Sequence, residues 1–464
     1  MKIRQSEFLS HDGSILDVLK VALPLILSTS CHAVNMFFDR LMLTRYSQPA
    51  AAAAMTSGLT SFTIQCFFVG AVGYCGTFVA QYSGANKPAR VGTAVWQGIF
   101  MAILGGIFMA TTCIWAPYLF QSFGHTPAVT EQEIIYYRFL AIGAIVFLLQ
   151  QALSCFWSGR GKTTTVLIVS ICVTLLNLPL NYMFIYGKWG IPEWGTAGAA
   201  VATVLAALGG VIFYACGFFL LKSSRRHFKT LSNIFDWAMF KRLLRFGSPN
   251  GIQLFVDLAA FNVFVILVSM YGVHEQEACS IVFGINNLAF CPIMGIGMTT
   301  SILVGQCIGA QDIHHAKKSV RSARNLMIIY MLAMSVLFTV FSHVVLAPFV
   351  RAGDMAQLEV MRLAKIMLYF VAAYLIGDGL VLVYSNAIRG AGDTKFMMWL
   401  TGILCWGGFA LPCFIFWFFG FPVWYLWGTL TVYVLLFGLV CYLRYRGGKW
   451  TRMSVIEPEA LEED

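Results

Sequence analysis

Three carboxylates lie where a hydrocarbon environment makes a charge costly. Of the 21 acidic residues, only Asp39, Asp257 and Asp378 fall well inside long apolar stretches. A charged side chain at the centre of a bilayer costs at least ~2.5 kcal/mol on insertion scales, so such a residue normally faces a cavity and carries a function. We take these three as the candidate functional groups. Each of them could instead be paired with a neighbouring helix.

Amide side chains accompany Asp39. Asn35 lies one helical turn before it, and Asn177 and Asn181 are one turn apart, so the members of each pair share a helix face. Carboxylate and amide oxygens suit either Na⁺ or a shared proton. The pattern predicts a cation site here, although a buried Asn pair also serves as an interhelical hydrogen bond. Arg40 follows Asp39, and we expect it to extend towards the membrane surface.

The other two acids also have polar neighbours. Gln253 lies one turn before Asp257, and Tyr374 lies one turn before Asp378. Two nearby carboxylates in a low-dielectric site cannot both stay charged without a cation, so they would bind a proton or a metal cation such as Na⁺. Tyr374 could offer its ring face or its hydroxyl to this site, or it could simply pack.

A weaker set of candidates could line a substrate cleft. Gln65, Asn286 and Asn287 are polar residues inside apolar stretches, and Asn35 and Gln253 join them. Hydrogen bonds between packed helices explain such residues equally well.

The composition shows which elements must position these groups. Of 464 residues, 59% are hydrophobic and 11% are charged, whereas charged residues make up roughly 25% of a soluble domain. Twelve apolar stretches are long enough to cross a bilayer as helices. These stretches are Val18–Thr44, Ala51–Val79, Val91–Ala116, Glu133–Trp157, Thr163–Tyr186, Gly195–Leu221, Leu243–Met270, Ala278–Cys307, Ser319–Phe349, Leu358–Ile388, Phe396–Phe419 and Trp424–Leu443. The 13 cysteines are scattered without metal-ligand spacing, so we expect them to be packing residues.

Charge distribution predicts the topology. Alternate connecting segments hold most of the 31 Lys and Arg, so the positive-inside rule predicts that both termini are cytoplasmic. We expect the membrane to be a bacterial inner membrane. We expect no removed signal peptide, because the N-terminus lacks a short apolar core with a cleavage site. The net charge of +10 thus reflects topology, and we expect no nucleic-acid partner. The acidic end, Glu457–Asp464, is predicted to be a disordered tail.

The chain repeats itself. Pro24 aligns with Pro249 and Tyr46 with Tyr271, and Gln81 aligns with Gln306. Repeats of six helices enter the membrane with the same polarity, which predicts an all-α membrane fold of two six-helix lobes related by a pseudo-two-fold axis along the membrane normal. The predicted divisions are an N-terminal lobe 1–221, a basic cytoplasmic linker 222–245, a C-terminal lobe 246–447 and a cytoplasmic tail 448–464.

Several motifs occur in one order along the chain. They are VNMFFDRLML around Asp39, Q-x-x-GA at Gln81 to Ala85, NLPLN at Asn177 to Asn181, G-x-P at Gly190 to Pro192, GTAGAAVAT, Pro249 before Asp257, and YLIGDGLVLVYSNAIRG around Asp378. From about Leu23 to Lys395 this pattern resembles the multidrug and toxic compound extrusion (MATE) family, and its NorM-like branch in particular.

The resemblance implies a function and a set of site residues. The N-lobe cation site would comprise Asp39, Asn177, Asn181 and Thr203, and the C-lobe cation site would comprise Asp257, Tyr374 and Asp378. The protein would be a secondary active multidrug exporter that exchanges cationic or amphipathic organic compounds for Na⁺ or H⁺ by alternating access. We expect a monomer in contact with membrane lipids, with no cofactor beyond the coupling ion and no enzymatic activity. The chain departs from the pattern at Asp257, where NorM-like proteins usually have Glu, and at Arg40.

Two other functions remain possible at this point. A flippase for a lipid-linked substrate would share the architecture, but it would be expected to line its cavity with basic residues. A passive channel generally uses oligomeric symmetry or a selectivity filter, and this chain has dissimilar halves instead. No P-loop occurs, so ATP is not the expected energy source.

Overall fold

The computed structural model describes residues 13–231, 234–349 and 355–457. Within these residues, 12 helices are long and apolar enough to cross a membrane. We label them α1 to α12 in chain order. They are Ile15–Tyr46, Gln48–Gly84, Pro88–Ile114, Pro127–Ser158, Thr163–Tyr186, Gly195–Leu220, Trp237–Ser269, Val273–Gly309, Ile313–Val340, Gln357–Ala391, Thr394–Phe418 and Trp424–Arg446. The number of spans predicted from the sequence is confirmed.

Several spans contain interruptions. Prolines lie inside α1, α5, α7 and α8, at Pro24, Pro179, Pro249 and Pro292. Each proline removes a backbone donor, and helices tolerate it inside a membrane when neighbouring groups satisfy the freed carbonyl. The end of α6 and the middle of α11 widen into π-helical segments, Cys216–Leu220 and Ile403–Ala410.

The seventh span begins earlier than expected. We predicted a basic connector up to residue 245, but α7 starts at Trp237. Its first turns contain Lys241, Arg242 and Arg245, and their charges lowered the apparent hydrophobicity of a segment that is nonetheless helical. Before α7, the short helix Lys222–His227 follows directly after α6.

The chain divides into two compact units. Among the described residues, unit N contains Leu27–Phe255, Gly309–Gln311 and 455–457, and unit C contains 13–26, Val256–Ile308 and Asp312–Ser454. The division falls inside α1 and α7, next to the aligned residues Pro24 and Pro249. The lobe limits given above stay a prediction.

Aromatic side chains fill the core of each unit. In unit N the fully buried rings include Phe78, Phe156 and Phe218. In unit C the rings of Phe264 and Trp427 meet edge to face at 5.6 Å. Such pairs contribute beyond the apolar area that they bury.

The C-terminal segment is docked on unit N. The backbone N–H of Val455 donates to Oε1 of Gln81 at 2.9 Å, and the hydroxyl of Tyr82 donates to Glu457 at 2.5 Å. Arg242 forms an ion pair with the same carboxylate. The predicted disordered tail is therefore wrong at Glu457, because partners distant in sequence hold this residue. Residues 458–464 lie outside the described residues.

Candidate functional site

Three helices of unit N bring the Asp39 group together. Asp39 lies in α1, and Asn177 and Asn181 lie on one face of α5. The amide nitrogen of Asn181 donates to the Asp39 carboxylate and also to Oδ1 of Asn177, at 2.8 Å in the second case. Asn181 is fully buried and Asn177 nearly so. The predicted contact between the α1 acid and the α5 amide pair is present.

Thr203 completes this group from α6. Its hydroxyl is close enough to Asp39 to interact with the carboxyl group, and it donates to the carbonyl of Ala199 at 2.9 Å. The residue came from the family resemblance, and the structure places it beside the acid. Each of the helices α1, α5 and α6 therefore contributes at least one side chain to the group.

Two amide oxygens in this region have no hydrogen-bond partner in the part of the chain that the structure describes. Oδ1 of Asn35 and Oδ1 of Asn181 are buried and make no hydrogen bond within the described residues. A buried polar atom without a partner is costly, and an ion or water normally satisfies it. Asn181 contacts Asp39 and Asn35 lies one turn before it in α1, so their amide oxygens and the carboxylate are ligands of the kind that hard cations prefer.

Two further observations concern the surroundings of Asp39. Tyr136 of α4 is buried and close enough to Asp39 to interact electrostatically, and no pattern in the sequence distinguishes it from the other tyrosines. Arg40 is exposed and forms no ion pair with Asp39 in the described part of the chain. The partners that the structure shows for the Asp39 carboxylate are therefore polar and uncharged.

In unit C, Asp257 of α7 contacts two donors that the sequence analysis did not select. The Cys405 thiol donates to Oδ1 of Asp257 at 3.3 Å, and the Tyr433 hydroxyl donates to the same oxygen at 3.4 Å. Cys405 lies in α11 and Tyr433 in α12. We predicted all cysteines to be packing residues. Cys405 is buried in the core of unit C, and in addition its thiol contacts a carboxylate, which the sequence analysis did not predict.

Asp378 and Tyr374 of α10 belong to the same region. Asp378 interacts electrostatically with Asp257, as predicted for two nearby carboxylates, and Tyr374 interacts electrostatically with Asp378. Tyr374 is buried, and no hydrogen bond joins its hydroxyl to Asp378 among the described residues. Tyr433, not Tyr374, is the tyrosine that donates to an acid of this group.

The weaker cleft candidates occupy varied environments. Gln65 and Gln253 are buried, Asn286 is half-buried and Asn287 is exposed. Oδ1 of Asn286 and Oε1 of Gln253 are buried without a hydrogen-bond partner in the described residues. No hydrogen bond connects these four side chains to the three carboxylates within that part of the chain. Their assignment to a substrate cleft remains a prediction.

A membrane bundle of twelve helices with carboxylates inside its spans has the architecture of a secondary transporter. The model of the MatE family matches residues 24–183 and 249–413, which make up more than half of the chain. The chain therefore belongs to the MatE family and is a multi-pass membrane transporter. Motif order along the sequence had already indicated this family.

Solved structures share the fold at low sequence identity. A MOP superfamily transporter from Pyrococcus furiosus, described as having a binding pocket of reversed polarity, matches with a TM-score of 0.86 at 17% identity, over 97% of this chain and 100% of its own. An outward-facing multidrug resistance MATE transporter of the same superfamily matches with a TM-score of 0.85 at 18% identity, over 100% of both chains. A MATE transporter in complex with MaL6 matches at 0.84 and 18% identity, over 95% of this chain and 97% of its own. These matches confirm the predicted fold class.

Proposed function

We propose that this protein is a secondary active exporter that exchanges cationic or amphipathic organic compounds for Na⁺ or H⁺ by alternating access. The observation that carries the proposal is the Asp39 group, in which the Asn181 amide contacts a carboxylate inside the membrane while its buried Oδ1 has no hydrogen-bond partner among the described residues. This group suits a small cation.

The physical basis of the exchange is competition for carboxylates. A ligand shifts a conformational equilibrium only by its differential affinity for the two states. If an acid is satisfied by the coupling cation in one state and by the organic cation in the other, the two fluxes are linked. Asp39 in unit N and the pair Asp257 and Asp378 in unit C are the groups that we propose for this role.

The proposal includes the setting of the protein. We infer a monomer in a bacterial inner membrane. Both termini would lie in the cytoplasm, because the segments predicted on that side hold most of the basic residues. The partners would be small organic cations and surrounding lipids.

The test is efflux of a fluorescent lipophilic cation from proteoliposomes under an imposed Na⁺ or H⁺ gradient. We expect gradient-driven efflux in the wild type and a loss of at least about tenfold in Asp39→Asn and in Asp378→Asn, because the neutral amide cannot exchange one cation for another. Glu359→Gln is the matched control in α10, since its carboxylate is half-exposed and forms a long ion pair with Arg362 at 3.8 Å.

The outcomes separate the competing functions. Efflux that is independent of any gradient would indicate a passive channel. Absence of cation transport under both gradients would favour a lipid-linked substrate. Wild-type rates in both Asp→Asn variants would overturn the proposed mechanism.

A further inference from the structure

One oxygen of Asp257 is held from two helices of unit C. The thiol of Cys405 and the hydroxyl of Tyr433 both lie within donating distance of Oδ1, at 3.3 Å and 3.4 Å. The two donors are themselves 2.8 Å apart. Cys405 is 1% exposed and Tyr433 is 7% exposed, so water does not compete freely for either group.

Three contacts join Sγ of Cys405, the hydroxyl oxygen of Tyr433 and Oδ1 of Asp257, but only two hydrogens are available to form hydrogen bonds among them. The thiol and the hydroxyl carry one hydrogen each, while three contacts join them to each other and to the carboxylate. Both groups can donate to Asp257, or one can donate to the other, which then donates to Asp257. In either arrangement Oδ1 receives at least one hydrogen bond, and a bond to a charged acceptor is the stronger kind.

A π-helical segment sets the position of Cys405. Residues Ile403–Ala410 are π-helical, and Pro412 follows them. Proline has no N–H to donate to the carbonyl four residues earlier, so a widened turn before it is a physically reasonable result. Gly407 and Gly408 lie in this segment and lower the steric barrier to widening. Single π turns inside helices are frequent at functional sites.

The same segment also fixes the ring of Tyr433. Phe409 stacks on that ring with centroids 5.0 Å apart and planes 17° apart. Phe409 in turn stacks on Phe264 at 5.5 Å. Tyr433 is therefore held at both ends, its ring by Phe409 and its hydroxyl by Cys405, and it has little freedom to leave Asp257.

No hydrogen bond from the described residues reaches the second oxygen of Asp257, Oδ2. The residue as a whole is exposed. Asp378 and Arg389 are the charged groups that interact with this carboxyl across space. Oδ1 is thus held by two donors, whereas Oδ2 receives no hydrogen bond from the described residues.

We propose that Cys405 and Tyr433 are positioning residues that hold Oδ1 of Asp257 so that Oδ2 is presented to the coupling cation. The inference rests on the proposed cation exchange, and it adds helices α11 and α12 to the group that controls cation binding in unit C. Neither residue needs to touch the cation.

The experiment measures efflux of a fluorescent lipophilic cation from proteoliposomes as a function of the concentration of the driving cation. Tyr433→Phe removes the hydroxyl and keeps the stacked ring, and Cys405→Ala removes the thiol. We expect each variant to raise the half-saturating cation concentration about fivefold or more, because it loses part of a hydrogen bond to a charged group. The maximum rate should stay within about twofold of the wild-type rate. Cys405→Ser keeps a donor and should restore a value near that of the wild type.

Matched controls are available in the same helices. Tyr425→Phe in α12 removes a hydroxyl from an exposed tyrosine, and Cys413→Ala in α11 removes a buried thiol that lies 3.9 Å from the carbonyl of Leu426. Both should leave the half-saturating concentration unchanged. Size-exclusion profiles and unfolding temperatures show whether each variant is folded.

The results distinguish this inference from the proposed function. If the wild type shows no gradient-driven transport, the proposed function fails. If the wild type transports but Tyr433→Phe and Cys405→Ala keep its half-saturating concentration, the positioning role is refuted. A lower maximum rate with unchanged half-saturation would also refute it, since that result indicates a purely structural contribution.

Discussion

Asn181 is the side chain on which the geometry of the Asp39 group depends. Its amide nitrogen donates both to Asp39 and to Asn177, so it links the acid to the rest of α5. Among the described residues, no hydrogen bond joins Asn177 directly to the carboxylate, and Asn181 links the two. A hydrogen bond to a charged group contributes more than one between neutral groups, about 1.5–3 kcal/mol against about 0.5–1.5 kcal/mol.

The two asparagines should therefore differ in their effect on transport. We expect Asn181→Ala to lower cation-driven efflux by about tenfold or more and Asn177→Ala to lower it by less than about tenfold. Initial efflux rates in proteoliposomes, normalised to the amount of reconstituted protein, provide the measurement. An equal or larger loss in Asn177→Ala would contradict the order of contacts described here.

At the scale of elements, close packing of α5 against α6 brings the polar groups together. A Cβ on Gly198 of α6 would lie 2.4 Å from the carbonyl oxygen of Phe184 in α5. Small residues at such contacts let helix backbones approach closely inside a membrane. This approach brings Thr203 of α6 to the same acid as Asn181 of α5.

Enlarging Gly198 should separate these helices. Gly198→Ala forces a backbone shift, because the clashing atom belongs to the main chain, and overpacking of this kind costs about 1–3 kcal/mol. We expect the unfolding temperature in detergent to fall by several degrees. Gly428→Ala in α12 is the control, since a Cβ there meets nothing within 4 Å. A fall of equal size in the control would show that any added methyl group is harmful.

At the scale of the whole molecule, the C-terminal segment packs against residues from the first half of the chain. The chain passes from unit C to unit N between Ser454 and Val455. Val455 and Ile456 are buried, and Glu457 is ion-paired with Arg242. Burial alone would raise the pKa of Glu457, but hydrogen bonds from Arg242 and Tyr82 outweigh it and lower the pKa to about 2.

The lowered pKa predicts how docking depends on pH. A carboxylate whose pKa is lower in the folded state contributes stability that is present above its unfolded pKa and is lost as the pH falls through the folded value. From an unfolded value of about 4.5, docking should be constant from about pH 5 to pH 8 and weaken only below about pH 4.5. Amide hydrogen exchange of residues 450–457, corrected for the intrinsic rate, measures this.

Substitution of the carboxylate tests the same contact at neutral pH. Glu457→Gln should increase the exchange of this segment about tenfold between pH 5 and pH 8, because the charged partner of Arg242 is lost. Arg452→Gln is a control, since this exposed residue forms no ion pair among the described residues. Exchange in Glu457→Gln that equals the wild type would show that the ion pair does not hold the segment.

The sequence alone determined the membrane class, the number of spans and the position of the intramembrane acids. Span length, hydropathy and the cost of a charge in lipid are local properties, so they can be read without knowing any contact. Helical periodicity likewise placed Asn177 and Asn181 on one face, and motif order indicated the family.

Only the tertiary structure showed that Cys405 and Tyr433 meet Asp257. Cys405 and Tyr433 come from helices far along the chain from Asp257, and nothing in their own neighbourhood distinguishes them from the other cysteines and tyrosines of the spans. Their contacts depend on the π-helical segment of α11 and on how α11 and α12 pack against α7. The docking of Glu457 depends in the same way on Tyr82 and Arg242, because an ion pair between residues distant in sequence forms only when packing brings them together.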